Sequence, residues 1–546
     1  MRYIIASCFF AGVITFFLVL GETSAFITGF SFREALSLAP LQFVGAFALF
    51  YFACSYLKEH RLAMFFNSVK LKYWIGSFAV LFVIWGINWL VFSPGYWTTD
   101  SVSSIRQALG EAQLVNHHPV LFTALVAVFV NAGNAVGSLE TGMAAFTLFT
   151  MIVFSLCCSY FCSWMYARTN SFPIFIGTVL FFVLNVVLAQ YSITAWKDIY
   201  FSSLLLIFVL KIVDLVCSKG EILTSKKYLV TMLALSLLIM LFRSNGVFIV
   251  IFSFLVLAIV YRNYWKKVAA LASICLVLYL VVSGPLYSCF GVGEKAARET
   301  YGVPLQQIAK TIVDDGEISQ ENQAFLERMF SFEEIKEAYN PLIVDPVKWA
   351  DSFDDDYLKD NQLQFIKVWL ETFPENIGSY VAAWRDLTIG FWNPLIENWI
   401  LVYSGYQYSD DMTEWSSAKI DMSAYSVAPN GVEYISYNIE GSNKLIAFID
   451  NERHLPILNL VYSIGAMVWL LLGVVVLKLI LRKNKDILAL TPLLLLWLSL
   501  LIATPTFCEF RYILTLHLAI PLVLLLLVYD IDSVSSSIKG VHVEDK

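Results

Sequence analysis

Thirteen apolar stretches dominate the chain, at about 4–20, 40–57, 73–92, 119–136, 141–165, 172–190, 198–217, 228–243, 246–261, 268–287, 457–481, 488–505 and 511–529. A membrane-spanning helix needs roughly 20 mainly apolar residues, with a range of about 17–25. Most of these stretches reach that length or come near it, so each predicts a membrane helix. The two on either side of Arg243 are short and share the polar break Ser244-Asn245-Gly246. Residues 4–20 follow Arg2 and have the make-up of a signal-peptide core. A second apolar stretch follows closely and the cleavage pattern between them is weak, so an uncleaved anchor is expected. Between these arrays the pattern changes. Residues 302–390 read as soluble helices, broken near Pro341, Asp345-Pro346 and Pro374.

Composition supports the same division. Of 546 residues, 58% are hydrophobic and only 14% are charged. Soluble domains are about 45–50% apolar and about 25% charged, so one soluble core would leave too little polar surface. The expected fold is therefore an all-α polytopic membrane protein with a mostly helical extracytoplasmic domain. The net charge of -7 is unevenly spread: residues 288–456 hold 28 Asp+Glu against 12 Lys+Arg, a net of -16. The rest holds 15 acids and 24 bases, a net of +9. No basic face suggests nucleic acid as a partner. The nine cysteines show no zinc spacing, and most, such as Cys157, Cys158, Cys162 and Cys275, sit in apolar runs as small hydrophobes. A Cys289–Cys508 bridge is topologically allowed but not expected.

Lys and Arg in short loops mark the cytoplasmic side. The markers are Arg2; Lys58, Arg61, Lys70 and Lys72; Arg168; Lys219, Lys226 and Lys227; Arg262, Lys266 and Lys267; and Arg482, Lys483 and Lys485. They cannot share one side if all thirteen stretches cross. The conflict disappears if 119–136, which ends in Asn131-Ala-Gly-Asn134, is re-entrant or interfacial. Twelve spans then remain, in a cell-membrane protein with both termini cytoplasmic. The expected organisation is an N-terminal module 1–287 with an outer loop 93–118, an acidic extracytoplasmic domain 288–456, helices over 457–531 and a tail 532–546. Loop 93–118, Lys197-Asp198, Arg243 and Glu509-Phe510-Arg511 then share the outer face with the acidic domain.

Those outer segments hold the candidate chemistry. In the first loop Thr99 or Asp100 can cap a short helix that Gly110 ends. Asp100 also lies near Tyr96, Trp97, Asn116 and the pair His117-His118, two of only six histidines. A carboxylate beside an imidazole suits a general base or a metal ligand, whereas the plainer role for the histidines is capping before Pro119. Lys197-Asp198 after Trp196 reads as a local ion pair, or as a phosphate-binding lysine with a hydroxyl- or metal-orienting carboxylate. Arg243 lies in an apolar stretch, where a charge needs a partner or a cavity. Arg511 either pairs with Glu509 or offers its fork to a phosphate. Trp349, Trp369, Trp384, Trp392, Trp399 and Trp415 are expected in the core of the acidic domain. Asp354-Asp355-Asp356 reads as a solvated turn rather than a calcium site.

An acidic residue in the first outer loop, followed by a His-Pro element entering a helix, resembles the GT-C superfamily of membrane glycosyltransferases, which includes protein O-mannosyltransferases and lipid A aminoarabinose transferases. Their His-Pro-Pro-Leu-like stretch is represented by His118-Pro119-Val120-Leu121, with one proline missing. The pattern is most similar to an uncharacterised bacterial family of GT-C-like proteins. That resemblance is carried by Asp100-Ser101, Asn116 to Pro119, Lys197-Asp198, Arg243 to Gly246 and Arg511-Tyr512, and by Val303 to Ile308 and Tyr339 to Lys348. It implies transfer of a sugar from a polyprenyl-phosphate donor to an extracytoplasmic glycan, lipid or protein. Asp100 would be base or metal ligand, with His117, His118 and Asp198 as further catalytic candidates. Lys197, Arg243 and Arg511 would hold the departing phosphate, and Tyr96, Trp97, Asn116, Trp196, Asn245 and Tyr512 would line the substrate. The resemblance fixes no cofactor and leaves open a divalent cation, Mg or Mn, on Asp100 and His118. A lipid flippase or transporter, a membrane acyltransferase using His117 or His118, and a non-catalytic scaffold are the competing expectations.

Overall fold

A computed structural model describes residues 2–24, 32–396, 398 and 460–531. The remainder of the acidic domain, including Trp399 and Trp415, and the tail 532–546 lie outside the described residues. The fold is helical. Six described helices are long and apolar enough to cross a membrane: Tyr3–Glu22, Leu36–Glu59, Leu71–Val91, Leu139–Thr169, Lys197–Cys217 and Arg262–Cys289. Two bent pairs raise the number to eight, Phe172–Leu184 with Val186–Ser192 at 67° and Phe510–Leu518 with Ile520–Val528 at 42°. Val120–Ala135, Asn245–Val260, Ile464–Ile480 and Thr491–Ala503 are shorter apolar helices.

Six helices, the last four of which supply residues that line the site, run up to the cap in sequence. They are α1 (Phe172–Leu184), α2 (Val186–Ser192), α3 (Lys197–Cys217), α4 (Lys226–Phe242), α5 (Asn245–Val260) and α6 (Trp265–Val281). The bend between α1 and α2 falls at Asn185, whose Oδ1 accepts the Leu188 N–H to start α2. Its Nδ2 lies 2.7 Å from Nε2 of His517, just before the other bend. The two bent pairs thus touch at their bends. Between α4 and α5 the chain turns at Ser244, and Gly246 makes the turn possible. A Cβ there would stand 2.5 Å from the Ile239 carbonyl oxygen.

Two of the short-loop basic markers, Arg61 and Arg168, are held by ion pairs at one end of the bundle. Leu62 and Ala63 pair in parallel with Tyr529 and Asp530. Asp530 binds Arg61, and it also lies 2.9 Å from the fully buried Lys478, which reaches Asp486 at 2.8 Å. Arg168 pairs with Asp214 and donates to the Asn67 carbonyl at 2.7 Å. Buried charges of this kind persist only when each has a partner. The helix Val120–Ala135 does not extend toward this end. Its Gly133 lies against Gly142, near the start of Leu139–Thr169, and Asn131 donates to the Ala108 carbonyl of the first loop at 3.3 Å.

At the opposite end sits a small helical cap with its own core of Leu305, Ile308, Ile312, Leu326, Val347, Phe365 and Tyr380. Breaks fall near Pro341 and Pro374 as predicted, but Asp345-Pro346 opens the short helix Asp345–Lys348, where proline is tolerated in the first turn, and further breaks at 314–319, 330–331 and 349–354 carry no proline. The aromatic expectation is met in part: Trp369 packs at the edge of this core, while Trp392 is buried in a separate cluster with Ile389 and Phe507, against which Phe17 and Trp497 pack. Trp349 departs from it and is 50% exposed. The Arg298 guanidinium covers one of its faces at 5.2 Å. No disulfide joins any two of the nine cysteines, the pair Cys289 and Cys508 included.

Candidate functional site

The site forms where three loops are stitched together by backbone hydrogen bonds. In the first loop, Tyr96 N–H donates to Ile193 C=O and Ala195 N–H returns to Tyr96 C=O, both at 2.9 Å. Gly95 permits this approach with a φ of 92°, because a side chain there would collide with Thr147 and the Ile193 carbonyl. The same loop is joined to the start of the cap by Asn116 N–H to Gly293 C=O at 2.9 Å and Gly293 N–H to Leu114 C=O at 2.8 Å. The cap is joined to the third loop by Val344 N–H to Pro505 C=O and Phe507 N–H to Leu342 C=O, each at 3.0 Å. Residues distant in sequence are thereby fixed around one cavity of about 1670 Å³ between bundle and cap.

Asp100 faces this cavity from the first turn of the helix Thr99–Ala108, where the helix dipole favours an anion. It does not cap that helix, contrary to the sequence expectation. Capping falls to Thr98, whose N–H donates to Ser101 Oγ at 3.1 Å, and Gly110 follows the end with a φ of 76°. The Asp100 carboxylate is therefore free to engage Arg511, whose Nη1 lies 2.9 Å from Oδ2. Arg511 also reaches Glu509 Oε1 from Nε at 3.3 Å, so the expected Glu509 pair exists but is shared. Burial opposes the charge on Asp100. The Arg511 and Lys197 cations outweigh it and hold the carboxyl well below the usual carboxylate range.

Lys197 does not pair with its neighbour Asp198. It lines the cavity with Nζ 3.4 Å from His118 Nδ1, whereas Asp198 turns inward, fully buried, and binds Arg243. Burial and the Lys197 ammonium push the His118 imidazole down to about 3, so it is neutral at physiological pH. The Arg243 and Arg511 guanidiniums flank the Tyr512 ring at 4.7 and 5.4 Å. Arg511 also lies 4.7 Å from the ring of Trp196. Asn245 donates to Ser499 Oγ at 3.2 Å on the cavity wall.

Asp100, Asn116, His117, His118, Lys197, Arg243, Asn245, Arg511 and Tyr512 thus share the cavity lining. Tyr96, Trp97 and Trp196 do not line it. All three are buried behind the loop, because Trp97 donates to Pro94 C=O and Trp196 donates to Thr98 Oγ1. Asp198 likewise lies outside the lining and supports Arg243 from below. Sequence reasoning missed Lys295, Glu299 and Lys348, which reach the cavity from the cap, and misplaced Trp349, which lines it as well.

A divalent cation does not fit this donor set. Asp100 is already neutralised by Arg511, His118 turns Nδ1 toward an ammonium, and Lys197 and Arg243 would repel a metal. Among the described residues, no three His, Cys, Asp or Glu side chains converge as ligands. The arrangement is suited instead to an anion.

Bundle, cap and intervening cavity define a helical protein with six to eight described helices long and apolar enough to cross a membrane, whose polar site lies where these helices meet the cap. The chain belongs to DUF6020, a family of unknown function, whose family model matches residues 108–539. No curated protein and no solved structure matches the chain.

Proposed function

We propose that the protein is a membrane glycosyltransferase that moves a sugar from a polyprenyl-phosphate donor to an extracytoplasmic acceptor. One observation carries this: Lys197, Arg243 and Arg511 converge on the same cavity as Asp100, within a short distance of the apolar helices. A phosphate at the membrane surface is the anion such a cluster suits, and guanidinium binds it in bidentate fashion. The sugar's C1–O bond to phosphate breaks with its electron pair leaving on the phosphate. The acceptor oxygen bonds to C1, and Asp100 takes its proton.

With Arg511 bound to it, Asp100 is too weak a base to do this. The donor phosphate competes for the same guanidinium. As Arg511 turns toward phosphate, Asp100 loses its strongest cation and its proton affinity rises. Binding of the donor thereby prepares the base. Asp198 fixes Arg243 rather than acting on the substrate. No step requires a metal.

In this proposal the cap and the cavity face outward and the basic end faces the cytoplasm, in a cell membrane crossed by twelve spans with both termini inside. Val120–Ala135 lies interfacially, in keeping with its contacts to the first loop. The touching bends at Asn185 and His517 give a transporter or flippase its one supporting feature, since discontinuous helices often mark transport sites. The charged groups lie at the end of the bundle rather than at those bends, which favours the transferase.

The test is incubation of the purified protein with polyprenyl-phosphate sugars of several kinds, followed by detection of sugar release or transfer. Asp100→Asn should reduce turnover by about 10²–10⁴-fold, the usual contribution of a positioned base, while the protein stays folded. Full activity in this variant would exclude the mechanism.

A further inference from the structure

Lys295 reaches the cavity from the cap side and is absent from the machinery described so far. Each acidic residue beside it is engaged elsewhere. Glu294 pairs with Lys359 at 2.6 Å, and Glu299 pairs with Lys348 at 2.9 Å. Lys295 itself donates only to the Glu299 backbone carbonyl, at 3.4 Å. Across the cavity, Lys197 has only neutral His118 within hydrogen-bond distance. Among the described residues, neither ammonium has a carboxylate within ion-pair distance. Burial lowers the pKa of Lys295. Glu299 partly offsets this, while Lys348, Lys197 and Arg243 lower it further. The stitch between Asn116 and Gly293 holds the two lysines in this mutually repulsive placement.

Asp100 and Asp198 act on Lys197, and Glu299 on Lys295, only from beyond ion-pair distance, so two cations facing one cavity favour a ligand that contacts and neutralises both. We propose that Lys295 and Lys197 form a two-ammonium site, bridging cap and bundle, for a phosphate monoester dianion. This rests on the glycosyltransferase reading and deepens it. The donor is a phosphodiester with one negative charge, and the departing polyprenyl phosphate is a monoester with close to two, its second pKa being about 6. With Arg243 offset by Asp198, and Arg511 by Asp100 and Glu509, the two ammoniums add one uncompensated cation per negative charge of the product and of the charge developing toward it, not of the ground-state donor. Interactions that strengthen only as this charge appears are those that raise turnover. Lys295 is thereby a specificity-determining residue for the state of the phosphate.

The experiment compares binding of farnesyl phosphate and its methyl diester to the full-length protein in detergent at pH 8, by calorimetry. Wild-type protein should bind the monoester about tenfold or more tightly than the diester, and Lys295→Gln should remove most of that preference. Lys295→Arg should retain it, and Lys367→Gln, on the exposed surface of the cap, should match wild type. Equal preference in Lys295→Gln and wild type, or no preference in either, overturns the proposal. Calorimetry needs no turnover, so the two ideas fail separately. A monoester preference that depends on Lys295, in a protein that transfers no sugar, would sink the transferase and keep the dianion site. Sugar transfer unaffected by Lys295→Gln would do the reverse.

Discussion

Glu509 lies on the far edge of the Arg511 guanidinium from Asp100, and its environment makes it a titrating group. Burial pushes its carboxyl up to about 7. Arg511 and Arg243 oppose the shift, and Asp198 and Asp100 reinforce it. Between the ordinary glutamate range and about 7, the folded protein keeps this proton while an unfolded chain gives it up. Stability from this group is therefore present at low pH and declines as pH rises toward 7, levelling off above. Thermal unfolding in detergent should show a Tm that falls between about pH 5 and pH 7.5, and Glu509→Gln should remove that component. An unchanged profile in the variant would assign the titration to another group. The sequence shows Glu509 only as a neighbour of Arg511. Its raised pKa depends on burial and on two carboxylates more than 300 residues away in the chain. Asp100, Lys197, Arg243 and Arg511 were readable because charge is scarce in such a sequence. Lys295 was not, since a lysine in an acidic soluble domain looks like ordinary solvated surface, and only the Asn116–Gly293 stitch places it inside.

At the scale of elements, the break between α4 and α5 presents Arg243 and Asn245 to the cavity, and Gly246 holds the break closed. Two contacts compete for importance here. The Asn185–His517 hydrogen bond joins the bent pairs, yet such bonds within a membrane average only about 0.6 kcal/mol and reach about 1.7. A methyl group at position 246 would press on the Ile239 carbonyl, and overpacking of this kind typically costs about 1–3 kcal/mol. Gly246→Ala should therefore lower Tm by more than loss of that one hydrogen bond would, and should displace Arg243, weakening binding of farnesyl phosphate; Asn185→Ala also removes the Leu188 cap and does not isolate the bond. Wild-type affinity in Gly246→Ala would show that the break tolerates a side chain. Hydrophobic periodicity located this break through its three polar residues. It gave no sign of the bend at Asn185, because a single amide in an apolar run leaves the pattern unbroken, whereas the bend at Ala519 is marked by Pro521, which hydrophobic periodicity alone does not weigh.

For the whole molecule, two buried clusters of charge lie at opposite ends of the bundle. Arg61, Arg168 and Lys478 gather with Asp214, Asp486 and Asp530 at one end, while Asp100, Lys197, Arg511 and the cap occupy the other. In the proposed orientation the first of these ends, which carries the short-loop residues Arg61 and Arg168, faces the cytoplasm, provided that Val120–Ala135 does not cross. Its contacts with the first loop and with the first turns of Leu139–Thr169 agree with that condition. The consequence is directly measurable. Cysteines placed at exposed Ser319 in the cap and at Lys219, in the loop after α3, should differ in reactivity toward a membrane-impermeant maleimide, in a background with the exposed Cys8 and Cys289 replaced by Ser. Ser319→Cys should label in intact spheroplasts, and Lys219→Cys only after permeabilisation. The opposite pattern would put the cavity on the cytoplasmic side, where no extracytoplasmic acceptor can reach it, and the proposed transfer would fail whatever the residues around Asp100 can do. Labelling of both positions from outside would instead require an even number of crossings between the outer-facing end of α3 and Lys219, which a single 21-residue helix cannot supply.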